Sequence, residues 1–334
     1  MKLIFAIVFL CSSLGARAEI DWRLSIKLIA DHEGNVPPEW VERAASEVAR
    51  ANQVMHRSGR GHGFDLIELV TLTGVPQWHD TFVDEIKRAA LQDAARAQPG
   101  LYAYRENAIN VYVVANQDRG MDPFPDAAGD IILMSGRMRS GMLLHACGHF
   151  FNLRHTHEGQ SFQYSDGSNC GGGFSPCFCD RQFPGDADGT TETAPDNQCY
   201  DSSDVIARAA YNLPFVELDA VRQERVENTR LNFMSYRDNP DRITSDQLDF
   251  MISDSNTRRR SVATGVTWFV STDGNDAGSG VRSNSRFQTV GRALSAAGPR
   301  DMALFRAGTY TAPQTINQPV TFRASRGDAT LVRP

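Results

Sequence analysis

The sequence predicts an α/β fold followed by a second, smaller unit. Between residues 22 and 135, segments with the apolar pattern of strands are separated by segments whose apolar residues recur at helical spacing. Strands that alternate with helices are typical of an α/β layer. The composition changes after residue 266, where further strand-like segments follow. With 334 residues, the chain is long enough to form two domains.

The first part is expected to contain four strands and two helices. The apolar patterns place the strands at 22–30, 64–72, 109–115 and 130–135. A helix follows Pro37-Pro38, and its apolar face consists of Val41, Ala44, Ala45, Val48, Ala51 and Met55. A second helix covers 82–97, and its buried face is expected to contain Phe82, Ile86, Ala89 and Ala90.

The later elements are less regular. A helix is expected to begin near Gly141, and residues 156–200 are rich in Gly, Ser, Asp and Cys, which predicts a loop. Thr244 and Gln247 form the pattern of a capping box at the start of a helix over 244–252. The polar stretch at 253–265 is interpreted as a linker, and the domain boundary is placed at 256–266.

The N-terminus has the pattern of a secretory signal. Lys2 precedes an apolar stretch at 3–15, and Ala16-Arg17-Ala18 fits a small-x-small cleavage site, so residues 1–18 are interpreted as a signal peptide. The alternative is a buried N-terminal strand. No other segment is expected to span a membrane, and a formal charge of −6 does not argue for a nucleic-acid partner. We therefore expect a secreted protein, either extracellular or periplasmic.

Export changes the interpretation of the cysteines. In an oxidising compartment four of them can form two disulfides, namely Cys170, Cys177, Cys179 and Cys199. Three pairings are possible, and the short spacing makes a bridge between Cys177 and Cys179 the least favourable. The remaining Cys147 is interpreted as a small buried apolar residue.

Three of the eight histidines, His145, His149 and His155, lie within one short stretch. Positions four apart lie on the same face of a helix, so His145 and His149 are expected to direct their rings to one point. Three neutral imidazoles with an open fourth position are the ligand set of a catalytic zinc ion. The pattern therefore predicts a Zn²⁺ site.

His155 cannot belong to the same straight helix. The chain is expected to turn at Asn152, because Asn tolerates the left-handed conformation that ends helices. Leu153 can then return to the core. Cys147 lies about 160° from His149 around the helix and is not expected to be a ligand. His157 is interpreted as a polar loop residue.

The segment H-A-C-G-H-F-F-N-L-R-H at 145–155 resembles the zinc signature of metzincin peptidases, H-E-x-x-H-x-x-G-x-x-H followed by a Met-turn. L-N-F-M-S-Y, with Met234, resembles that Met-turn. Together with G-H-F-F-N-L-R-H-T-H-E-G and the cysteine-rich loop, these motifs resemble the pappalysin branch over roughly residues 22–255. The resemblance implies a peptidase domain over 19–255 with a mixed sheet and a zinc helix.

The resemblance also implies roles for individual residues. The three histidines would hold zinc, Met234 would form a hydrophobic floor beneath it, and Tyr236 would help to hold the developing oxyanion. The alternative for Tyr236 is an ordinary tyrosine at the edge of the core. An extended peptide substrate would add as a further strand to the edge strand, through Ile131, Ile132, Leu133 and Met134. Calcium is a further candidate ion. Its oxygen ligands would come from Asp186, Asp188, Glu192 and Asp196. The alternative is that these four residues form a solvated acidic loop without an ion.

Ala146 stands where this family has a glutamate that acts as general base in peptide hydrolysis by a zinc-activated water. A positioned acid–base group typically contributes about 10²–10⁴-fold to the rate. We therefore expect an exported protein of the zinc metalloendopeptidase type whose peptidase activity is strongly reduced or absent. The alternatives are a zinc-binding pseudoprotease that binds peptides or proteins without cleavage, and a surface adhesion module carried by the C-terminal unit.

Residues 267–334 resemble the start of a pectate-lyase-like right-handed parallel β-helix. The resemblance rests on W-F-V-S-T-D-G-N-D, R-F-Q-T-V-G-R-A-L-S-A-A and L-F-R-A-G-T-Y. Such solenoids need three or more coils, and only about two fit before Pro334, so an incomplete β-helix unit is expected. The alternative is a small β module without a ligand.

Overall fold

The computed structural model describes residues 18–81, 84–115, 129–137, 139–157, 189–196, 202–235, 237 and 239–332. The strands are β1 (Ile20–Ile29), β2 (His62–Leu72), β3 (Ile109–Val114), β4 (Ile131–Ser135), β5 (Thr267–Val270), β6 (Met302–Thr311) and β7 (Thr321–Val332). The α-helices are α1 (Pro38–Arg57), α2 (Glu85–Ala97), α3 (Met142–Phe150), α4 (Ser203–Tyr211), α5 (Ala220–Arg230), α6 (Ser245–Thr257) and α7 (Val290–Ala296). The chain divides into two compact units, residues 1–152 with 249–334, and residues 153–248.

The first unit contains a four-stranded sheet in the order β2-β1-β3-β4. All three ladders of this sheet are parallel, which confirms the α/β class. The predicted mixed sheet is not found among these described strands, where antiparallel pairing is limited to an isolated bridge between Trp22 and Ala263. β4 lies at an edge of the sheet, as expected, and all of its side chains are buried.

Helix α2 packs on one face of this sheet, but through a different side of the helix from the one predicted. Leu91 and Ala95 join a buried cluster that includes Ile29, Tyr112 and Leu133. Ile86, which was expected inside, is 79% exposed. Arg88 and Gln92 instead occupy the buried side, because the Gln92 amide oxygen accepts hydrogen bonds from the Arg88 guanidinium and the Asp130 backbone N–H.

The opposite face of the sheet carries Trp22, since side chains alternate along a strand. The Trp22 ring centroid lies 4.4 Å from that of Phe151, which directly follows α3. Helix α1 buries most of its predicted face, including Ala44, Val48 and Ala51. A carboxylate, that of Glu47, is also buried on this helix, which the apolar pattern did not predict.

The C-terminal part of the first unit is a three-stranded parallel sheet in the order β5-β6-β7. Its core includes Val270, Phe287 and Phe305. Strand-like segments were predicted here, whereas assignment of this sheet to a β-helix remains a prediction. Helix α6 continues to Thr257, five residues beyond its predicted end. The Asn256 side chain, near the end of α6, exchanges two hydrogen bonds with the Thr267 backbone.

The second unit contains two helices that the sequence did not predict, α4 and α5. Ser202 and Asp219 cap their N-termini, and Ile206, Ala207 and Val226 join a small core. No helix among the described residues of the whole chain is long and apolar enough to cross a membrane.

Candidate metal centre

Helix α3 carries the first two histidines of the motif. It begins after Gly141, whose φ of 90° lies in the left-handed region that favours glycine. The residues from Leu143 to Phe150 are all buried. The imidazole Nε2 atoms of His145 and His149 lie 3.2 Å apart, so the two rings direct their nitrogens at the same point.

The chain leaves the helix as the sequence predicted. Asn152 has a φ of 69°, which confirms the left-handed turn, and its backbone N–H donates to the His149 carbonyl at 2.8 Å. Leu153 is buried, also as expected. After this turn, the ligand atoms of His145, His149 and His155 all lie within 4.8 Å of one another.

This donor set fits a zinc ion. In a tetrahedral site with zinc–nitrogen bonds of about 2.0–2.1 Å, two ligand nitrogens lie about 3.4 Å apart. The observed 3.2 Å between His145 and His149 is close to that separation. All three imidazoles are buried, and each offers one ring nitrogen to the shared point.

Two other residues near the motif are placed outside this donor set. Cys147 is buried, as predicted for a small apolar residue. His157 was expected to be a polar loop residue, but it is buried and stacks on His155 with ring centroids 4.6 Å apart. The ring of His157 therefore packs against the third histidine of the motif. The spacing of the histidines in the sequence did not reveal this role.

Ala146 follows His145 in the buried helix and is itself buried. Its methyl group neither accepts nor donates a proton. Tyr236 and the four cysteines of the predicted disulfides lie outside the described residues. The same holds for Asp186 and Asp188.

Met234 lies in a tight turn that is connected by a backbone hydrogen bond to the segment after His155. The Met234 carbonyl accepts a hydrogen bond of 3.1 Å from the Thr156 N–H, and the Met234 side chain is buried. The turn is closed by Asn232, whose side-chain oxygen accepts from the Met234 N–H at 2.8 Å.

The predicted capping box supports the same turn. The Gln247 N–H donates to the Thr244 hydroxyl at 3.2 Å, and the Thr244 N–H donates to the Gln247 amide oxygen at 2.9 Å. This confirms the capping box. The amide group of Gln247 also exchanges two hydrogen bonds of 3.0 Å with that of Asn232. The start of α6 therefore orients the side chain that closes the Met234 turn.

Two of the candidate calcium ligands have protein partners. The buried carboxylate of Asp196 accepts hydrogen bonds from Thr156 at 2.7 Å and from the guanidinium of Arg237. The Glu192 carboxylate accepts from the Asp246 N–H at 2.8 Å. Arg237 thus places a positive charge beside Asp196. A calcium site at the Asp196 carboxylate remains a prediction.

No protein-family model matches the chain, and no curated protein matches it. Among solved structures, it is similar to mature mirolysin of Tannerella forsythia in complex with a cleaved peptide, with 12% identity, a TM-score of 0.41, and coverage of 72% of this chain and 94% of that chain. It is also similar to mirolysin in complex with compound 9, with 15% identity, a TM-score of 0.43, and coverage of 73% and 96%. For metalloproteinase-II from Bacteroides fragilis, the identity is 12%, the TM-score is 0.26, and the coverage is 45% and 46%.

Proposed function

We propose that this chain is a zinc metallopeptidase of the metzincin, pappalysin-like type whose peptidase activity is strongly reduced or absent. The observation that carries the proposal is the convergence of His145, His149 and His155 on one buried point. The motif resemblance and the connection between Met234 and Thr156 support it further. The proposal includes export, because the pattern of residues 1–18 is that of a signal peptide.

The roles of the residues follow from their chemistry. The three histidines would hold the ion and orient it. When bound, zinc supplies a Lewis acid that polarises a carbonyl oxygen and lowers the pKa of a water. The residue at 146 would have to accept the proton of that water, and alanine cannot. Loss of such a base typically lowers the rate by about 10²–10⁴-fold. The β4 edge, with Ile131 to Met134, would accept an extended peptide.

A zinc-binding protein that holds peptides without cleaving them is the second candidate, and Ala146 favours it. The two candidates make different predictions about peptide cleavage and peptide binding. A disabled peptidase regains cleavage when a carboxylate is placed at residue 146. A dedicated binding protein shows zinc-dependent peptide affinity but no cleavage, even with that carboxylate.

The deciding experiment compares the zinc-loaded chain with the variant Ala146→Glu on a mixed peptide library, with cleavage read by mass spectrometry. Cleavage by the variant alone supports a peptidase that lacks its base. The double variant His145→Ala with Ala146→Glu is the matched control and should not cleave. Cleavage by the unmodified chain would overturn the argument about Ala146. If metal analysis finds no zinc bound to the chain, the proposed metal centre is wrong.

A further inference from the structure

A buried carboxylate from a distant helix binds the start of the helix that carries His145 and His149. Both oxygens of Glu47, on α1, accept hydrogen bonds from the Gly141 N–H at 2.9 and 2.8 Å. One of them also accepts from the Leu143 N–H at 3.3 Å. The two partners are separated by 94 residues in the sequence.

The start of α3 requires an acceptor of this kind. The first backbone N–H groups of a helix lack partners within the helix, and a side-chain oxygen at the N-cap usually accepts from them. Here the N-cap is Gly141, which has no side chain. Glu47 takes over this function from outside the segment, and its negative charge is favourable beside the positive end of the helix dipole.

The cost of burying Glu47 shows why these hydrogen bonds matter. A buried carboxylate is unfavourable unless it is hydrogen-bonded, and bonds to a charged acceptor are stronger than neutral ones. The neighbouring buried positions of α1 are apolar, including Ala44, Val48 and Ala51. One turn before Glu47, Arg43 donates to the carbonyl of Gly136, directly after β4. Helix α1 therefore holds both ends of the connection from β4 to α3.

We propose that Glu47 is a positioning residue for the metal centre, which acts by holding α3 one turn before His145. The inference rests on the proposed metal site. It implies that removal of the carboxylate lets the first turn of α3 shift or fray, so that His145 and His149 no longer converge as closely. Outer residues that orient metal ligands typically contribute about 10–100-fold to metal affinity.

The test uses the full chain with Co²⁺, whose visible absorption reports the geometry of its ligands. We expect Glu47→Ala to weaken Co²⁺ binding by about 10–100-fold and to change the absorption bands. Glu47→Gln keeps one acceptor oxygen without the charge, so its Co²⁺ affinity should lie between those of the unmodified chain and Glu47→Ala. Glu42→Ala, at an exposed position of the same helix, is the matched control and should bind Co²⁺ like the unmodified chain.

Two outcomes would overturn the inference. Glu47→Ala could lose stability yet keep the Co²⁺ affinity and spectrum, which would make Glu47 a purely structural residue. Hydrogen exchange of the Gly141 and Leu143 amides in the metal-free chain gives the second readout. Exchange that Glu47→Ala does not accelerate would mean that the carboxylate does not hold the helix. If the unmodified chain binds no Co²⁺, the metal centre itself fails, and the exchange data still decide whether Glu47 caps α3.

Discussion

The backbone N–H of Thr156, the residue after His155, donates a hydrogen bond of 3.1 Å to the carbonyl of Met234. The side chain of Thr156 donates in turn to Asp196, which pairs with Arg237. The segment that follows the third histidine is thus connected to the Met234 turn by one backbone hydrogen bond. It is also connected to Arg237, just after that turn, through the buried Asp196 carboxylate. This arrangement predicts that the ion pair is important for the stability of the second unit.

Arg237→Gln should therefore destabilise the protein strongly. The side chains of Arg237 and Asp196 are 3% and 0% exposed, so the change leaves a buried carboxylate without its cation. Breaking a buried pair in this way typically costs about 3–5 kcal/mol of unfolding free energy. Urea denaturation followed by circular dichroism measures the change.

The matched control for Arg237→Gln is Arg208→Gln. Arg208 pairs with Asp204 one turn away on α4, and both side chains are about half exposed. Exposed ion pairs contribute little to stability because water and salt screen them. Equal losses of stability in the two variants would contradict the assigned role of the buried pair.

Asn152→Ala should weaken the metal centre through the backbone. Asn152 has a φ of 69°, and the left-handed conformation costs most L-residues roughly 1–2 kcal/mol. Alanine should therefore lower stability and metal affinity, whereas Asn152→Gly should retain the turn. Thermal unfolding and zinc titration of the two variants test this expectation.

Asn212 offers a control with the same backbone strain. It ends α4 with a φ of 56°. Asn212→Ala should lower stability by a similar amount and leave metal affinity unchanged. A loss of zinc affinity in Asn212→Ala as large as in Asn152→Ala would show that the effect is global and not specific to the histidine segment.

Lys27 should give the protein a distinctive pH dependence. Burial lowers the pKa of Lys27 from 10.5 to about 7, an effect that the charge of Glu68 partly opposes and that of Arg105 adds to. The ammonium donates to the Asn110 side-chain oxygen at 2.6 Å. Between pH 7 and 10.5, the unfolded chain binds a proton that the folded chain does not. The free energy of unfolding should therefore rise with pH in this window, by up to about 1.4 kcal/mol per pH unit.

Lys27→Met tests this origin. The variant has no amine to titrate, so its unfolding free energy should lack the rise that the unmodified chain shows above pH 7. Below pH 7, Lys27 is charged in both the folded and the unfolded state, and the cost of burying its charge is fully present. The unfolding free energy of the variant should therefore exceed that of the unmodified chain by the largest amount in this range. Parallel pH profiles of the two proteins would contradict the lowered pKa.

Several features of the site could be predicted from local sequence because their partners are close in the chain. His145 and His149 are one helical turn apart, and Asn152 is a residue that tolerates a left-handed turn. The capping box joins Thr244 to Gln247, three residues on. In each case the chemistry and the spacing are both visible within a few residues.

Other features depend on contacts that no local pattern encodes. Ile86 and Leu91 are both apolar residues of α2, yet only Leu91 is buried, because packing against the sheet selects one side of the helix. The extension of α6 to Thr257 has a similar cause, since Asn256 is hydrogen-bonded to Thr267 at the start of the next strand.

By itself, the sequence determined the alternation of strands and helices, the two-histidine face of α3 and the absence of a carboxylate at residue 146. These follow from residue type and from the periods of helix and strand. The sequence also predicted the turn at Asn152 that brings His155 to the other two histidines, and the tertiary structure confirmed it. Only the tertiary structure revealed that Glu47 caps α3 and that Asp196 joins Thr156 to Arg237. Each of these last relationships needs the chain to turn or to bring distant segments together, and a buried charge is stable only where the fold supplies its partner.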